Sequence, residues 1–313
     1  MTTLHNPHDR FFKAVFGRTE VAAEFLARYL PAEVAATVDW TTLRAEKETF
    51  LDPQLTQHPA DLLYAVTLRG GEAGYVYLLF EHKSYVEARI NLDLLRYRVR
   101  IWEQWLQDGN SGWLPVIIPV VFYHGAARWG VKRQFAETVM DAPGLQRYVP
   151  VCEYHLVDLS AYRDEELRGA VLLQVALWTL KYVFRDELRE RLPGILGLLR
   201  ALEQSSSGLD FIRALLRYLA QVASTDRLSA TELRQAVTQA LSGGGELMMT
   251  IAEQWEQQGM EKGEAKALLR LVQVKFGLAE PAVEARIAAA ESAQVERWLE
   301  RILTAKSPDE LFG

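Results

Sequence analysis

Two apolar runs on either side of a glycine-rich hexapeptide constrain this chain most strongly. Asp61 opens the first run, Leu62 to Leu68, and Glu81-His82-Lys83 ends the second, Tyr75 to Phe80. Short runs rich in Val, Leu and aromatic residues, bounded by turn formers, read as strands. Arg69-Gly70-Gly71-Glu72-Ala73-Gly74 lies between them and reads as a turn, because glycine accepts positive φ. A hairpin folded about Gly71 sets Asp61 opposite Glu81, Leu63 opposite Leu79 and Ala65 opposite Tyr77. Side chains alternate faces along a strand, so Asp61, Glu81 and Lys83 are expected on one side, at one end of a sheet.

Those residue types suit one chemistry. Magnesium takes hard oxygen ligands, usually one or two carboxylates, and keeps waters and phosphate oxygens for the rest. It lowers the pKa of a bound water and neutralises charge on a phosphate under attack. A lysine alongside supplies a point charge for the water or the developing oxyanion. Asp61, Glu81 and Lys83 are therefore candidates for metal-assisted phosphodiester hydrolysis. Glu-x-Lys alone carries no such meaning: Glu264-Ala265-Lys266 repeats it in a helical pattern with no apolar strand before it, and reads as solvated helix charge. The plainer alternative for the first copy is ordinary solvated charge at a strand end.

Composition narrows the setting. With 313 residues, 49% hydrophobic and 24% charged, the chain has globular proportions and room for one large domain or two ordinary ones. No apolar run reaches the ~18 residues of a membrane span. Met1 to Arg10 is polar, without the apolar core of a signal peptide, so a cytoplasmic location is expected. The single cysteine, Cys152, excludes an internal disulfide and reads as a small buried hydrophobe. The net charge of −6 is spread evenly, with no basic half, which argues against tight nonspecific nucleic-acid binding. Arg96, Arg98 and Arg100, with Arg128, Lys132 and Arg133, are the local exception; they either line a phosphate track or belong to a solvated helix face and a loop.

Along the chain, residues 8–30 have helical periodicity that ends at Pro31, and residues 34–55 read as a short helix or loop followed by an extended piece near Thr49 to Leu51. The hairpin follows. Residues 87–106 return to a helical period. Val116 to Tyr123 is a continuous apolar run, as expected of a strand buried on both faces, and Tyr154 to Leu159 is a further strand. From Asp164 onward every segment is helical, with linkers at Ser205–Gly208 and Ser242–Gly245, a C-cap at Gly277 and an N-cap at Ser307. The expected fold class is thus α/β: a mixed-sheet core with the parts order of a restriction endonuclease over residues 1–160, a helical region over 161–241 and a helical tail over 246–313. Gly259-x-x-x-Gly263 lies in surroundings too polar for a membrane dimer and reads as a helix break, a hinge or a close helix approach. The tail stripe Leu247, Ile251, Trp255, Leu268, Leu269, Val272 and Phe276 must be buried somewhere, and a homo-oligomer through the tail is expected.

Several stretches together resemble the bacterial recombination-promoting nuclease family, also described as putative transposases. They are His8-Asp9-x-x-Phe12-Lys13, Asp61-Leu62-Leu63-Tyr64, Tyr77 to Ser84, Pro119 to Gly125, Met249 to Ala252 and Gly259 to Gly263, in the family's order over almost the whole chain. Many members carry Gln where this chain has Lys83; here the position fits the broader PD-(D/E)xK nuclease pattern. The resemblance implies a restriction-endonuclease-like fold and magnesium-dependent DNA cleavage. By position, Asp61 and Glu81 would bind the metal, the His82 carbonyl would be a further ligand, and Lys83 would assist the water. Glu24, on the first long helix, is an additional carboxylate candidate, with a solvated helix residue as the alternative. Asp9 and Lys13 read as a surface i,i+4 ion pair. His82 with His124 suggests zinc, but no Cys or further His completes a tetrahedral set, so local hydrogen bonds are preferred. Arg96 and Arg100, one helical turn apart, are expected to hold DNA phosphates. The alternative function is an inactive nuclease-fold protein that binds nucleic acid or oligomerises. A true transposase is disfavoured, because neither a carboxylate triad nor a DNA-recognition module is evident.

Overall fold

The computed structural model describes residues 6–46, 61–81, 89–141, 143–222, 227–277, 281–288, 290 and 292–313; within these, the side chains of 79–81, 252, 254–262, 281–282, 288, 292 and 309 lie outside the description. The chain divides into two compact units, Met1–Gly244 and Gly245–Gly313. Helices α1 (Pro7–Phe16), α2 (Thr19–Tyr29) and α3 (Ala32–Ala35) lead into β1 (Val38–Ala45). Strands β2 (Leu62–Leu68) and β3 (Ala73–Glu81) follow, then α4 (Ile90–Gln107), β4 (Val116–Tyr123) and β5 (His155–Asp158). Helices α5 (Val171–Tyr182), α6 (Leu188–Leu198), α7 (Ser206–Val222) and α8 (Ala230–Ala240) complete the first unit. The sheet runs β1-β2-β3-β4-β5. Its first three strands are antiparallel, and β3, β4 and β5 are parallel, with α4 crossing from β3 to β4. The α/β class with a helical C-terminal region is as expected.

The hairpin register differs from the expected one by two residues. Leu63 pairs with Tyr77 and Ala65 with Tyr75, and the ladder ends at Leu62 with Leu78; extended by one residue, this register would set position 61 opposite position 79, not 81. The cause is the turn. Leu68 and Glu72 close a three-residue loop, with Gly71 N–H to Leu68 O and Leu68 N–H to Glu72 O both at 2.8 Å. Gly71 takes φ +97° as the last loop residue, in the left-handed bulge position of such hairpins, and is not the centre of the turn. Because the shift is even, the facing of every side chain is preserved. Leu63, Ala65, Tyr75, Tyr77, Ile117 and Val121 pack against Ile90, Leu94, Tyr97 and Ile101 of α4. The other sheet face meets α1 and α2: Phe122 lies against Phe12, Phe16 and Phe25 at centroid distances of 5.4, 5.4 and 5.5 Å, and the Tyr64 hydroxyl donates to Phe16 O at 2.7 Å.

Other expectations need correction. Residues 8–30 form two helices, because Arg18 is extended (ψ 111°) after Gly17. Strand β1 was not expected. It is irregular between Asp39 and Arg44, where Thr42 Oγ1 accepts from Thr67 N–H at 2.8 Å in place of a backbone carbonyl. The extended piece expected near Thr49 to Leu51 lies outside the described residues. Asp9 is buried and Cys152 is half-buried. Ser205–Gly208 is no linker: Ser205 Oγ caps α7 by accepting from Gly208 N–H at 3.0 Å, and a Cβ on Gly208 would stand 2.1 Å from Leu202 O. His124 ties β4 to α5, its Nδ1–H donating to Leu180 O at 3.2 Å, and His8 is hydrogen-bonded to Tyr218 of α7 at 2.7 Å. The helical region is thereby joined to the sheet unit.

In the second unit, α9 (Gly244–Phe276) is one continuous helix, so Gly259 and Gly263 do not break it, and Glu264-Ala265-Lys266 is helical as read. Gly277 ends it with φ +97°. The single helix expected from Pro281 to Thr304 is two, α10 (Pro281–Ala288) and α11 (Ser292–Arg301), followed by α12 (Pro308–Phe312), whose Glu310 N–H donates to Ser307 Oγ at 3.2 Å. Leu268 and Val272 are buried with Ile287, Val295, Trp298, Ile302, Leu311 and Phe312, and Leu269 and Phe276 pack against them. Lys275 Nζ donates to the carbonyls of Ile302 and Leu303 at 2.6 and 2.9 Å, satisfying groups just past α11 that have no helical partner. This half of the apolar stripe is covered by its own tail and calls for no second copy. The side chain of Trp255 lies outside the description. Among the described residues no helix is long and apolar enough to cross a membrane.

Candidate active site

The topology brings several chain ends to one end of the sheet. Strand β2 begins there, and β3, β4 and β5 finish there, with Glu81 paired to Tyr123 and Tyr123 to Asp158. The carboxyl ends of parallel strands are where open α/β sheets place their ligand crevices. Asp61 stands at the entry to β2 and is 4% exposed. A carboxylate this buried needs donors. Tyr77, in the neighbouring strand, supplies one: its hydroxyl donates to Asp61 Oδ2. Tyr97 from α4 packs on Tyr77 with ring centroids 4.8 Å apart and shares a hydrogen bond with it.

The electrostatics keep both phenols as donors. Burial pushes Tyr77 well above the ordinary tyrosine value, and the adjacent Asp61 charge adds to the shift. Tyr97 is raised for the same two reasons, burial first and Asp61 second. Both shifts favour the protonated phenol, so Asp61 keeps its hydroxyl donor. The result is a carboxylate of fixed orientation at the mouth of the sheet. Tyr77→Phe should destabilise the fold by about 1–3 kcal/mol, because a buried carboxylate loses a donor. A lower urea midpoint at constant slope would report it, and an unchanged midpoint would show that the hydroxyl adds no net stability.

The other expected residues fall into two groups. The Glu81 backbone ends β3, but its side chain, and all of His82 and Lys83, lie outside the description. Arg96 and Arg100 are exposed on α4, paired within the helix to Asp93 at 3.3 Å and Glu103 at 3.0 Å. Glu24 has a structural partner: its Oε1 accepts from Ala170 N–H at 2.8 Å, just before α5, and from Arg28 at 3.5 Å. Helix α2, which carries it, covers the sheet face opposite Tyr77. Among the described residues no group of three His, Cys, Asp or Glu side chains could hold a metal ion. The reading from sequence missed Tyr77 and Tyr97. The available signal was a tyrosine in phase with Asp61 inside an apolar strand, where its hydroxyl would need a buried partner.

Comparison with known proteins agrees with the resemblance read from the motifs. The family model described as "Putative transposase, YhgA-like" matches residues 6–210. Recombination-promoting nuclease RpnC of Escherichia coli (strain K12) is 28% identical over 255 residues, 82% of each chain. RpnA of the same strain is 29% identical over 256 residues, 81% of this chain and 84% of its own. A third relative, the inactive recombination-promoting nuclease-like protein RpnE, is 27% identical over 264 residues, 84% of this chain and 85% of its own. No solved structure matches significantly. The start of the match takes in α1 with His8 and its central part takes in the whole sheet, so the elements that build the sheet end around Asp61 are those the family shares, and the chain belongs to the YhgA-like putative transposase family.

Proposed function

We propose that this protein is a magnesium-dependent DNA endonuclease whose active site is the sheet end carrying Asp61, Glu81 and Lys83. The observation that carries the reading is the buried Asp61 carboxylate, oriented by Tyr77 at the crevice end of a mixed α/β sheet. The names of its relatives, recombination-promoting nucleases, support DNA as the substrate. The observed register supports shared ligation. Diagonal neighbours on adjacent strands stand about 7–8 Å apart, a gap that an Asp and a Glu can close onto one cation. Two carboxylates are hard oxygen donors of the kind magnesium selects, and the His82 carbonyl would be a third. When bound, the metal would acidify a water and neutralise phosphate charge.

The chain's own residues supply the rest. Tyr77 and Tyr97 hold Asp61 and exclude water from behind it. Lys83 would supply a positive charge for the attacking water. Arg96 and Arg100, exposed on α4, hold the DNA backbone. Ala at both positions should weaken DNA binding and flatten the dependence of log affinity on log salt by about two phosphate contacts; an unchanged slope would leave these arginines to their partners Asp93 and Glu103. The second reading, an inactive member, is favoured by the relatives named as inactive. Incubation of supercoiled plasmid with the purified protein separates the two. Nicking in magnesium that stops in EDTA supports the nuclease, whereas no nicking in either supports the inactive form.

A further inference from the structure

Away from the sheet end, residues 163–191 enclose an open cleft of about 730 Å³, lined by Arg163, Asp164, Glu165, Arg168, Gln174, Trp178, Tyr182 and Arg191. This is the size range of small-molecule sites. Its hydrogen-bonding groups are unevenly matched. Asp164 is taken by Lys181 Nζ at 2.5 Å and by the Tyr182 hydroxyl at 2.6 Å, and Arg163 by Glu166 at 3.3 Å. Among the described residues the Arg168 side chain donates only through its Nε, to Glu165 O at 2.5 Å. Arg191 is ion-paired with Asp164 at 3.5 Å and lies 5.5 Å over the Tyr182 ring, with no hydrogen bond from its side chain among the described residues. The Trp178 indole N–H is shielded from solvent and has no acceptor among the described residues. Two guanidinium groups and two aromatic residues thus line one cleft, and its Asp164 carboxylate is already engaged.

Guanidinium forks match phosphate bidentately, and the Trp178 and Tyr182 rings offer planar faces to a base. We infer that this cleft binds a nucleoside 5′-phosphate, either free or as the 5′ end of a DNA strand.

The test is calorimetric titration of the full chain in EDTA with adenosine 5′-monophosphate, with inorganic phosphate, and with a DNA hairpin carrying or lacking a 5′-phosphate. A saturable site for the nucleotide, tighter than for inorganic phosphate, is expected. Tighter binding of the phosphorylated hairpin than of the bare one assigns the strand end; nucleotide binding with equal affinity for the two hairpins assigns the free ligand. Arg168→Ala and Arg191→Ala should each weaken binding about tenfold or more, the loss of one charge-assisted hydrogen bond. Glu165→Gln, which leaves the fold's contacts in place, should tighten it by removing a repelling charge. Glu81→Ala should leave it unchanged, which separates this cleft from the proposed nuclease site. No saturable binding, equal affinity for inorganic phosphate, indifference to both arginines and Glu165, or loss with Glu81→Ala would overturn the inference.

Discussion

Glu81→Ala protein should nick supercoiled plasmid in magnesium at least about 10³-fold more slowly than the wild type. The size follows from the role. A metal that activates water and neutralises phosphate charge contributes several kcal/mol to the barrier, and about 4 kcal/mol is three orders of magnitude in rate. Asp61→Ala should match it, because the two carboxylates would share one ion. Their effects should not add, since losing either ligand already empties the site. Folding should survive Glu81→Ala, as removing one of two repelling carboxylates rarely destabilises a protein. Equal nicking by wild type and Glu81→Ala would point to a contaminating nuclease or another active site.

Lys181→Met should lower the unfolding free energy by about 3–5 kcal/mol, the usual result of leaving one member of a buried ion pair alone. Helix α5 is apolar almost all round and is buried on nearly every side, as expected for a helix at the centre of a bundle. Lys181 is its buried cation, with its side chain 7% exposed, held by Asp164 at 2.5 Å and Tyr162 O at 3.0 Å. Burial alone would raise the Asp164 carboxyl. Hydrogen bonds from Lys181 and Tyr182, with the charges of Lys181 and Arg191, outweigh burial and hold it below the ordinary 3.8. A depressed folded-state pKa gives stability that is present above the unfolded value and lost as pH falls through the folded one. Wild-type stability should therefore decline on acidification below about 4, and Lys181→Met should flatten that limb. Chemical denaturation at pH 7 and pH 3 measures both effects; a loss under ~1 kcal/mol, typical of a surface pair, would show that the pair is effectively solvated.

Much of the fold was legible because periodicity reports burial directly. The runs Leu62 to Leu68, Tyr75 to Phe80 and Val116 to Tyr123 are strands, and the period through Ile90, Leu94, Tyr97 and Ile101 is the face that α4 buries. The register was not legible, because a glycine pair fits both a turn centred on Gly71 and a three-residue loop ending there; the cross-strand hydrogen bonds of Leu68 decide between them. Strand β1 escaped notice because Val38–Ala45 carries Asp39, two threonines and Arg44, and has only Val38 and Leu43 as buried apolar positions. Serines 205–207 looked like a linker, yet serine caps helices as readily as it joins them. Of the candidate site, Asp61 and its place at a strand end were readable. Its partners Tyr77 and Tyr97 were not, since a hydroxyl 16 residues away finds its acceptor only once the strands have paired.

Whether Asp61 and Glu81 share one cation is read most directly by calorimetric titration of magnesium into the wild type, Asp61→Asn and Glu81→Gln, which keep side-chain shape and remove charge. One binding event in the wild type, weakened about tenfold or more by each substitution alone, is the expected result, since even outer partners of metal ligands are worth 10–100-fold. Magnesium binding that neither substitution changes would contradict a shared site at this end of the sheet.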